Sequence, residues 1–205
     1  MKINGRYLAI AFSLGVVLII ILLTRHDTDQ TAARGVVASG LSVGAEVFAN
    51  DELKGAEELS KAAVRGDDDL VPRAREWAET NVTRKIWVCD IARNAKRTDA
   101  LAVLARDALE ACRGGGATYG RLFRIAKFLE ECRDWAAARA ALDAAAPLAK
   151  YRTHREDVAF ARLRIDLASE GATDERLDEL RQISVSAAMN DNRLAAARLL
   201  KTYER

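Results

Sequence analysis

The sequence contains few of the residues from which sheets, disulfide frameworks and catalytic sites are usually built. Among 205 residues there are two prolines, three cysteines and two histidines, and aromatic residues make up 6% of the chain. Runs of β-branched residues are short after the N-terminal segment, so little of the chain is suited to strands. We therefore expect an all-α fold.

An excess of charge of one sign is also missing. The chain has 32 basic and 30 acidic residues, which gives a formal net charge of +2 at pH 7. So small a net charge produces no strong field to recruit nucleic acid or an anionic membrane surface. We therefore expect protein partners and no nucleic-acid ligand.

The residues of common catalytic sites are not grouped in this sequence. His26 follows the apolar N-terminal segment and His154 begins a predicted helix, so neither lies at a recognisable spacing from a serine or cysteine nucleophile. The stretch RGGGATYG, residues 113–120, lacks the Gly-Lys-Ser/Thr ending of a phosphate-binding loop and follows a predicted helix. We expect neither enzymatic activity nor a cofactor.

The three cysteines, Cys89, Cys112 and Cys132, each lie within a predicted helix. Structural zinc sites usually supply ligands two to four residues apart, and no close cysteine pair exists here, so we expect no metal site. The simplest interpretation is that each thiol is a small buried apolar group. A disulfide between two of them in an oxidising compartment stays open as an alternative.

Residues 7–24, YLAIAFSLGVVLIIILLT, contain no charged side chain. At 1.5 Å per residue, a helix of this length approaches the roughly 30 Å of a bilayer's hydrocarbon core. The run is longer than the apolar core of about 7 to 15 residues found in cleaved signal peptides. We predict an uncleaved transmembrane helix after a short tail of residues 1–6, with a removed signal peptide as the alternative.

Basic residues near the two ends of this segment indicate its orientation. Lys2 and Arg6 precede it, and Arg25 and Arg34 follow it. Together with the short N-terminal tail, this distribution favours an N-terminus inside the cell and a domain outside it. In a bacterium, the domain then lies at the periplasmic face of the inner membrane.

The rest of the chain divides into a linker and a helical domain. Residues 25–44 are rich in Gly, Ser, Thr and Asp without sustained periodicity, which is typical of a linker. Over residues 45–205, apolar residues recur at intervals of three and four, and short breaks separate the periodic stretches. Because the breaks are short, successive helices are expected to pack antiparallel as α-hairpins.

An alanine-rich stretch at residues 132–150 indicates how these hairpins pack. Ala138 and Ala145 allow close approach of a neighbouring helix, and Trp135 and Leu142 fill the remaining space. Alanines on the flanks leave room for a second neighbour, which predicts a stack. Three further alanines are predicted to lie on outer faces, where alanine merely favours the helix: Ala137, Ala140 and Ala141.

Tyr119 to Lys150 resembles a tetratricopeptide repeat. The positions of the family's pattern are occupied, in chain order, by Leu122, Ile125, Ala126, Leu129, Trp135, Ala138, Leu142 and Ala145. The family's glycine is replaced by Ala126, and Pro147 comes a few residues early. A weaker copy spans Thr83 to Arg113, and a degenerate one spans Thr153 to Ala187. The resemblance implies an α-hairpin solenoid.

In proteins similar to this family, the first helix of each hairpin lines a groove that receives a peptide or a helix. Six residues of this chain match the lining positions and are implied to bind a partner: Ile86, Asp90, Arg93, Phe123, Lys127 and Glu130. Phe123 is the candidate anchor for a peptide. Packing of Phe123 against the adjacent hairpin is the alternative.

Two functions are compatible with these observations. The first is a membrane-anchored scaffold or adaptor of a bacterial envelope complex, which binds partner segments through the groove. The second is a structural accessory subunit held in a membrane complex by its transmembrane helix, in which Ser13 and Gly15 permit close approach of another helix.

Overall fold

The computed structural model describes residues 50–204, and within them it is built of helices without strands. In chain order these are α1 (Asn50–Arg65), α2 (Leu70–Ala78), α3 (Val82–Asn94), α4 (Thr98–Gly114), α5 (Tyr119–Glu131), α6 (Trp135–Ala145), a 3-10 turn (Ala146–Leu148), α7 (Arg152–Glu170), α8 (Asp174–Ser186) and α9 (Asn190–Tyr203). The all-α prediction is confirmed for this part of the chain.

The predicted tail, transmembrane helix and linker lie outside the described residues, as does the start of the predicted domain at residues 45–49. Between residues 50 and 204, no helix combines the length and the apolar character that a membrane crossing requires. The prediction for residues 7–24 therefore stays a prediction.

Short polar side chains mark where several helices begin. The side chains of Asn81, Thr118 and Thr173 accept a hydrogen bond from the backbone N–H three residues later, at the starts of α3, α5 and α8. Asp134 does the same for α6. These bonds satisfy backbone donors that have no partner inside the helix. Residue chemistry thus sets the boundaries that the sequence pattern only approximates.

Contacts between helices follow a regular scheme along the chain. Each helix from α1 to α8 packs against its successor, and in addition α1 contacts α3, α3 contacts α5, and α5 contacts α7. The even-numbered helices α2 and α4 also touch. Contacts thus join nearest and next-nearest neighbours along the chain, an arrangement that we call the helix stack.

Two hydrophobic clusters lie along this stack, and α7 contributes to both. The larger cluster is built from α1 to α7 and the smaller from α7, α8 and α9. The residues that α7 supplies are Val158, Ala161 and Ile165 to the larger cluster and Phe160, Leu163 and Leu167 to the smaller one. α7 is therefore the helix through which the last hairpin is attached.

The alanine-rich helix α6 packs against both α5 and α7, as its composition predicts. Ala138, Leu142 and Ala145 are fully buried. Ala141 is also fully buried, so its predicted place on an outer face is wrong. The reason is that a helix with neighbours on two sides keeps little outer face.

Candidate functional site

The candidate site lies on the odd-helix surface, by which we mean the surface formed by the exposed side chains of α3, α5 and α7. Four rings form a continuous group there, which we call the aromatic stack: Phe123, Tyr119, His154 and Tyr151. Successive ring centroids are 5.5, 3.9 and 5.0 Å apart. The first three rings lie nearly parallel, and Tyr151 meets His154 edge-on.

The aromatic stack is open to solvent along one side. Tyr151 is 67% exposed, and Tyr119, Phe123 and His154 are half-buried. At the Phe123 end, the Lys127 ammonium lies 4.8 Å from the ring centroid, over its face. Exposed aromatic groups beside a cation are typical of sites that dominate the binding energy of protein interfaces.

Hydrogen bonds hold the Tyr119 ring in place between α5 and α7. The Tyr119 hydroxyl donates to Asp157 Oδ2 at 3.2 Å. The Oδ1 atom of Asp157 accepts a 2.7 Å bond from Asn192 on α9. Burial raises the pKa of Tyr119, and the adjacent Asp157 carboxylate raises it further, so the hydroxyl stays a donor. Tyr119 is consequently joined to α7 and, through Asp157, to α9, and the His154 and Phe123 rings stack on it.

Ion pairs connect each odd-numbered helix to the next one. The three pairs, from one end to the other, are Glu52 with Arg84, Asp90 with Arg124, and Glu130 with Arg164. Their partners are 32, 34 and 34 residues apart. In each pair the arginine comes from the later helix. The same contact is therefore repeated at each junction along the stack.

The middle pair is the most deeply placed. Asp90 is 3% exposed, accepts a 2.5 Å bond from Arg124, and lies 3.3 Å from Arg93. Both guanidinium groups also lie over the Phe128 ring, at 5.9 and 5.3 Å from its centroid. Burial raises the pKa of the Asp90 carboxyl, and the arginines oppose that rise. This cluster joins α3 to α5.

The structure separates the six predicted partner-binding residues into two groups. Ile86, at 7% exposed, and Asp90 are buried, so their predicted exposure on the surface is corrected. The reason is that α3 is enclosed by its neighbours, and every residue from 86 to 92 is buried. Glu130 is half-buried and holds Arg164.

The other three predicted residues are accessible. Arg93 and Lys127 are exposed, and Phe123 is half-buried with its ring on Tyr119. Phe123 also packs on the larger hydrophobic cluster, as the packing alternative expects, and its role as a peptide anchor stays a prediction. The predicted membrane-helix contacts at Ser13 and Gly15 lie outside the described residues.

Three members of the aromatic stack were not predicted from the sequence: Tyr119, Tyr151 and His154. Tyr151 lies just before α7, where helical periodicity says nothing about side-chain direction. Tyr119 and His154 meet only because α5 and α7 pack side by side. The sequence does contain one signal for this contact. Tyr119 and His154 are 35 residues apart, which is close to the 32 to 34 residues that separate the partners of each ion pair.

The three cysteines of the described residues lie in or directly after helices, and two of them are buried. The thiols of Cys89, Cys112 and Cys132 are free, and burial raises the pKa of each, which favours the unreactive thiol form. Among residues 50–204, no group of three or more His, Cys, Asp or Glu side chains is arranged to hold a metal ion.

A concave feature lies apart from the aromatic stack, on the side of the even-numbered helices. It is a cleft of about 890 Å³ between the ends of α2 and α4 and the start of α3, bordered by the glycines at 114–116. Its charged groups include Arg75 and Asp107, which bond to each other at 2.6 Å. Glu79 and Lys85 also line the cleft, but no aromatic ring is part of its lining.

Comparison of the chain with protein families, with curated proteins and with solved structures returned no match. The function is therefore argued from the residues and their geometry. The odd-helix surface is the best candidate, because it combines the exposed Tyr151 ring, three half-buried rings packed beside it and the exposed Lys127.

Proposed function

We propose that the protein is a membrane-anchored scaffold or adaptor of a bacterial envelope complex, which binds segments of partner proteins at the odd-helix surface. The observation that carries the proposal is the aromatic stack with Lys127 at its end. The Tyr119 ring is held by its hydrogen bond to Asp157 and the neighbouring rings pack on it, so the group binds a partner with little loss of side-chain freedom. Burying Tyr151 and the open edges of the other rings would supply the anchor of the interface.

The regular contacts between helices support the kind of scaffold that we propose. Stacked hairpins give an extended surface on which several side chains of a partner are contacted in sequence. The ion pairs between odd-numbered helices recur at 32 to 34 residues. This spacing is near the repeat length of about 34 residues in tetratricopeptide repeats. We propose a domain similar to that family.

The membrane part of the proposal depends on the sequence of the N-terminal segment. An uncharged run at residues 7–24, with the orientation argued from its flanking basic residues, would hold the domain at the periplasmic side of the inner membrane. Residues 25–44 would then set the distance between the bilayer and the odd-helix surface.

The experiment is photo-crosslinking in the cells that produce the protein. A benzophenone amino acid replaces Tyr151 in the full-length chain, and in a matched control it replaces Lys201, an exposed residue of α9. We expect discrete crosslinked products from position 151 that are absent from position 201. The products should diminish when Lys127→Glu is added.

A parallel chain without residues 1–24 separates the two candidate functions. Partners that are retained by this shortened chain are recognised by the helical domain, which supports the adaptor. If position 151 gives no product and every stoichiometric partner is lost with residues 1–24, the chain is instead a structural accessory subunit. In that case, substitutions at Ser13 and Gly15 should release it from its complex.

A further inference from the structure

Positive charges lie at both ends of the aromatic stack. Lys127 is exposed beyond the Phe123 ring. At the other end, Lys150 is exposed next to Tyr151, and Arg155 donates to the carbonyl oxygens of Ala149 and Lys150 rather than to a carboxylate. Within residues 52–204, Lys127, Lys150 and Arg155 form no ion pair. Their charges are therefore available to a ligand.

The carboxylates near the rings are already engaged within the chain. Glu130 holds Arg164. Glu156 accepts bonds from Arg152 and from the backbone N–H of Ala188, both at 2.7 Å. Asp157 accepts bonds from Tyr119 and Asn192. Asp157 keeps its negative charge beside Tyr119, because both of its donors are neutral. Each end of the stack is still positive, since Lys127 lies at one end and both Lys150 and Arg155 lie at the other.

The four rings separate the two cationic ends. Each step from one ring centroid to the next is between 3.9 and 5.5 Å, so a single carboxylate is too small to contact both ends. A ligand that matches the whole site needs an apolar centre and negative charge on either side. An extended polypeptide supplies these groups, since its side chains follow one another at about 3.3 Å per residue.

We propose that the partner segment bound at the aromatic stack is an internal acidic stretch, in which carboxylates flank one or two aromatic or aliphatic anchor residues. The inference rests on the proposed function, because it names the chemistry of the segment that the odd-helix surface binds. Oppositely charged flanks steer the encounter and fix the register, and the anchor supplies most of the affinity.

Selection from a random peptide library tests this chemistry directly. The library is displayed on phage with the peptide joined through its C-terminus, so no peptide offers a free terminal carboxylate. It is selected on the full-length protein in detergent. We expect enrichment of peptides with Asp or Glu on both sides of an aromatic or aliphatic residue.

Variants then test whether the enriched peptide binds where we propose. The enriched peptide is synthesised and its affinity is measured. In the double variant Lys127→Glu with Lys150→Glu, binding of this peptide should weaken by roughly tenfold. Tyr151→Ser should weaken it by roughly tenfold or more. The matched control Lys201→Glu makes the same charge change on α9 and should leave the affinity unchanged. All of these side chains are exposed, so folding should be preserved, which circular dichroism checks.

Three results would overturn the inference: no enrichment, enrichment of neutral or basic peptides, or an acidic peptide that is insensitive to the lysine substitutions. The crosslinking experiment distinguishes this failure from that of the proposed function. If position 151 captures a partner through a neutral or basic segment, the proposed adaptor function is retained and the proposed acidic ligand is rejected. If position 151 captures nothing and no partner is retained by the chain without residues 1–24, the adaptor itself is wrong.

Discussion

At the scale of single residues, Gly55 sets how closely α1 approaches α2. A Cβ atom at this position would lie 2.2 Å from Nε1 and 2.5 Å from Cδ1 of Trp77. The indole has little freedom to move away, because it meets the Trp87 ring edge-on at 5.4 Å and has the Arg84 guanidinium over its face. Glycine is thus required for packing rather than for a turn.

We predict that Gly55→Ala lowers the free energy of unfolding by about 1–3 kcal/mol, as overpacking does. Urea denaturation measures the change. Gly120→Ala is the control, because Gly120 also lies in a helix but its Cβ would meet nothing within 4 Å. That variant should gain about 0.5–1 kcal/mol from the better helix former. Equal effects of the two substitutions would show that the Trp77 contact is unimportant.

A second residue-scale prediction concerns Glu156 and pH. The backbone N–H of Ala188 and the Arg152 guanidinium hold the pKa of the Glu156 carboxyl below its usual value of 4.5. A lowered pKa in the folded state means that the carboxylate stabilises the fold above that usual value, and that this stabilisation is lost as pH falls through the folded-state pKa. The hydrogen bond from Ala188 to Glu156 joins the turn before α9 to α7.

We therefore expect Glu156→Gln to lower the melting temperature at pH 7 and to have a progressively smaller effect as the pH falls below 4.5. Melting curves of both proteins across this range provide the measurement. Glu179→Gln, which removes an exposed carboxylate on α8, is the control. A difference between wild type and Glu156→Gln that stays constant down to strongly acidic pH would contradict the assignment.

Asp90 shows where sequence reasoning about single residues fails. An aspartate inside a helix suggests a solvated position, and neither periodicity nor residue type reveals that α1 and α5 enclose α3. The partner of Asp90 is Arg124, 34 residues later, and the partner of Glu130 is Arg164, again 34 residues later. The equal spacing of opposite charges is present in the sequence, but its meaning depends on the register between hairpins.

At the scale of one element, α6 tests the role of small residues in the stack. Ala138 is fully buried in a helix that packs against both α5 and α7. A larger side chain there must displace one of these helices. Ala136 is two residues away on the same helix and is exposed. The pair allows the same substitution to be compared with and without a neighbour.

We predict that Ala138→Leu destabilises the protein by about 1–3 kcal/mol through overpacking. Ala136→Leu should change stability by less than about 0.5 kcal/mol, since a leucine at a surface position of a helix is well tolerated. Both values come from urea denaturation of the full-length protein. If Ala138→Leu is as stable as Ala136→Leu, α6 has more room beside it than the structure shows.

Helices were the easiest elements to predict, and the junctions between them the hardest. The apolar stripe of α5, with Leu122, Ile125, Ala126 and Leu129, is buried as its spacing indicates. The aromatic stack was found only in part, through Phe123. Tyr119 lies on the same helix, but its place in the stack depends on contact with His154 of the next odd-numbered helix, which Tyr151 meets from the turn before it. Periodicity describes one helix at a time and cannot give contacts between two.

At the scale of the whole molecule, stability is expected to vary along the stack. The larger hydrophobic cluster draws on seven helices, whereas the smaller one that holds α8 and α9 has six buried residues, three of them from α7. Exposed apolar side chains, Val185, Met189 and Leu194, also occur in this last part. In a stack of repeats each hairpin is stabilised by its neighbours, and a terminal hairpin has a neighbour on one side only.

We therefore predict that α8 and α9 open before the rest of the described domain. Hydrogen exchange measured by mass spectrometry on the full-length protein should show faster exchange in peptides from 174–203 than in peptides from 119–145, which cover α5 and α6. Leu180→Ala, which leaves a cavity in the smaller cluster, should accelerate exchange in α8 and α9 while α5 and α6 stay protected. Uniform exchange along all helices, or acceleration in α5 and α6 by Leu180→Ala, would instead mean that the stack unfolds as one cooperative unit. In that case the odd-helix surface could not stay folded while α8 and α9 open. The aromatic stack is linked to α9 by the hydrogen bond between Asp157 and Asn192, so its structure would then depend on the folding of the whole domain.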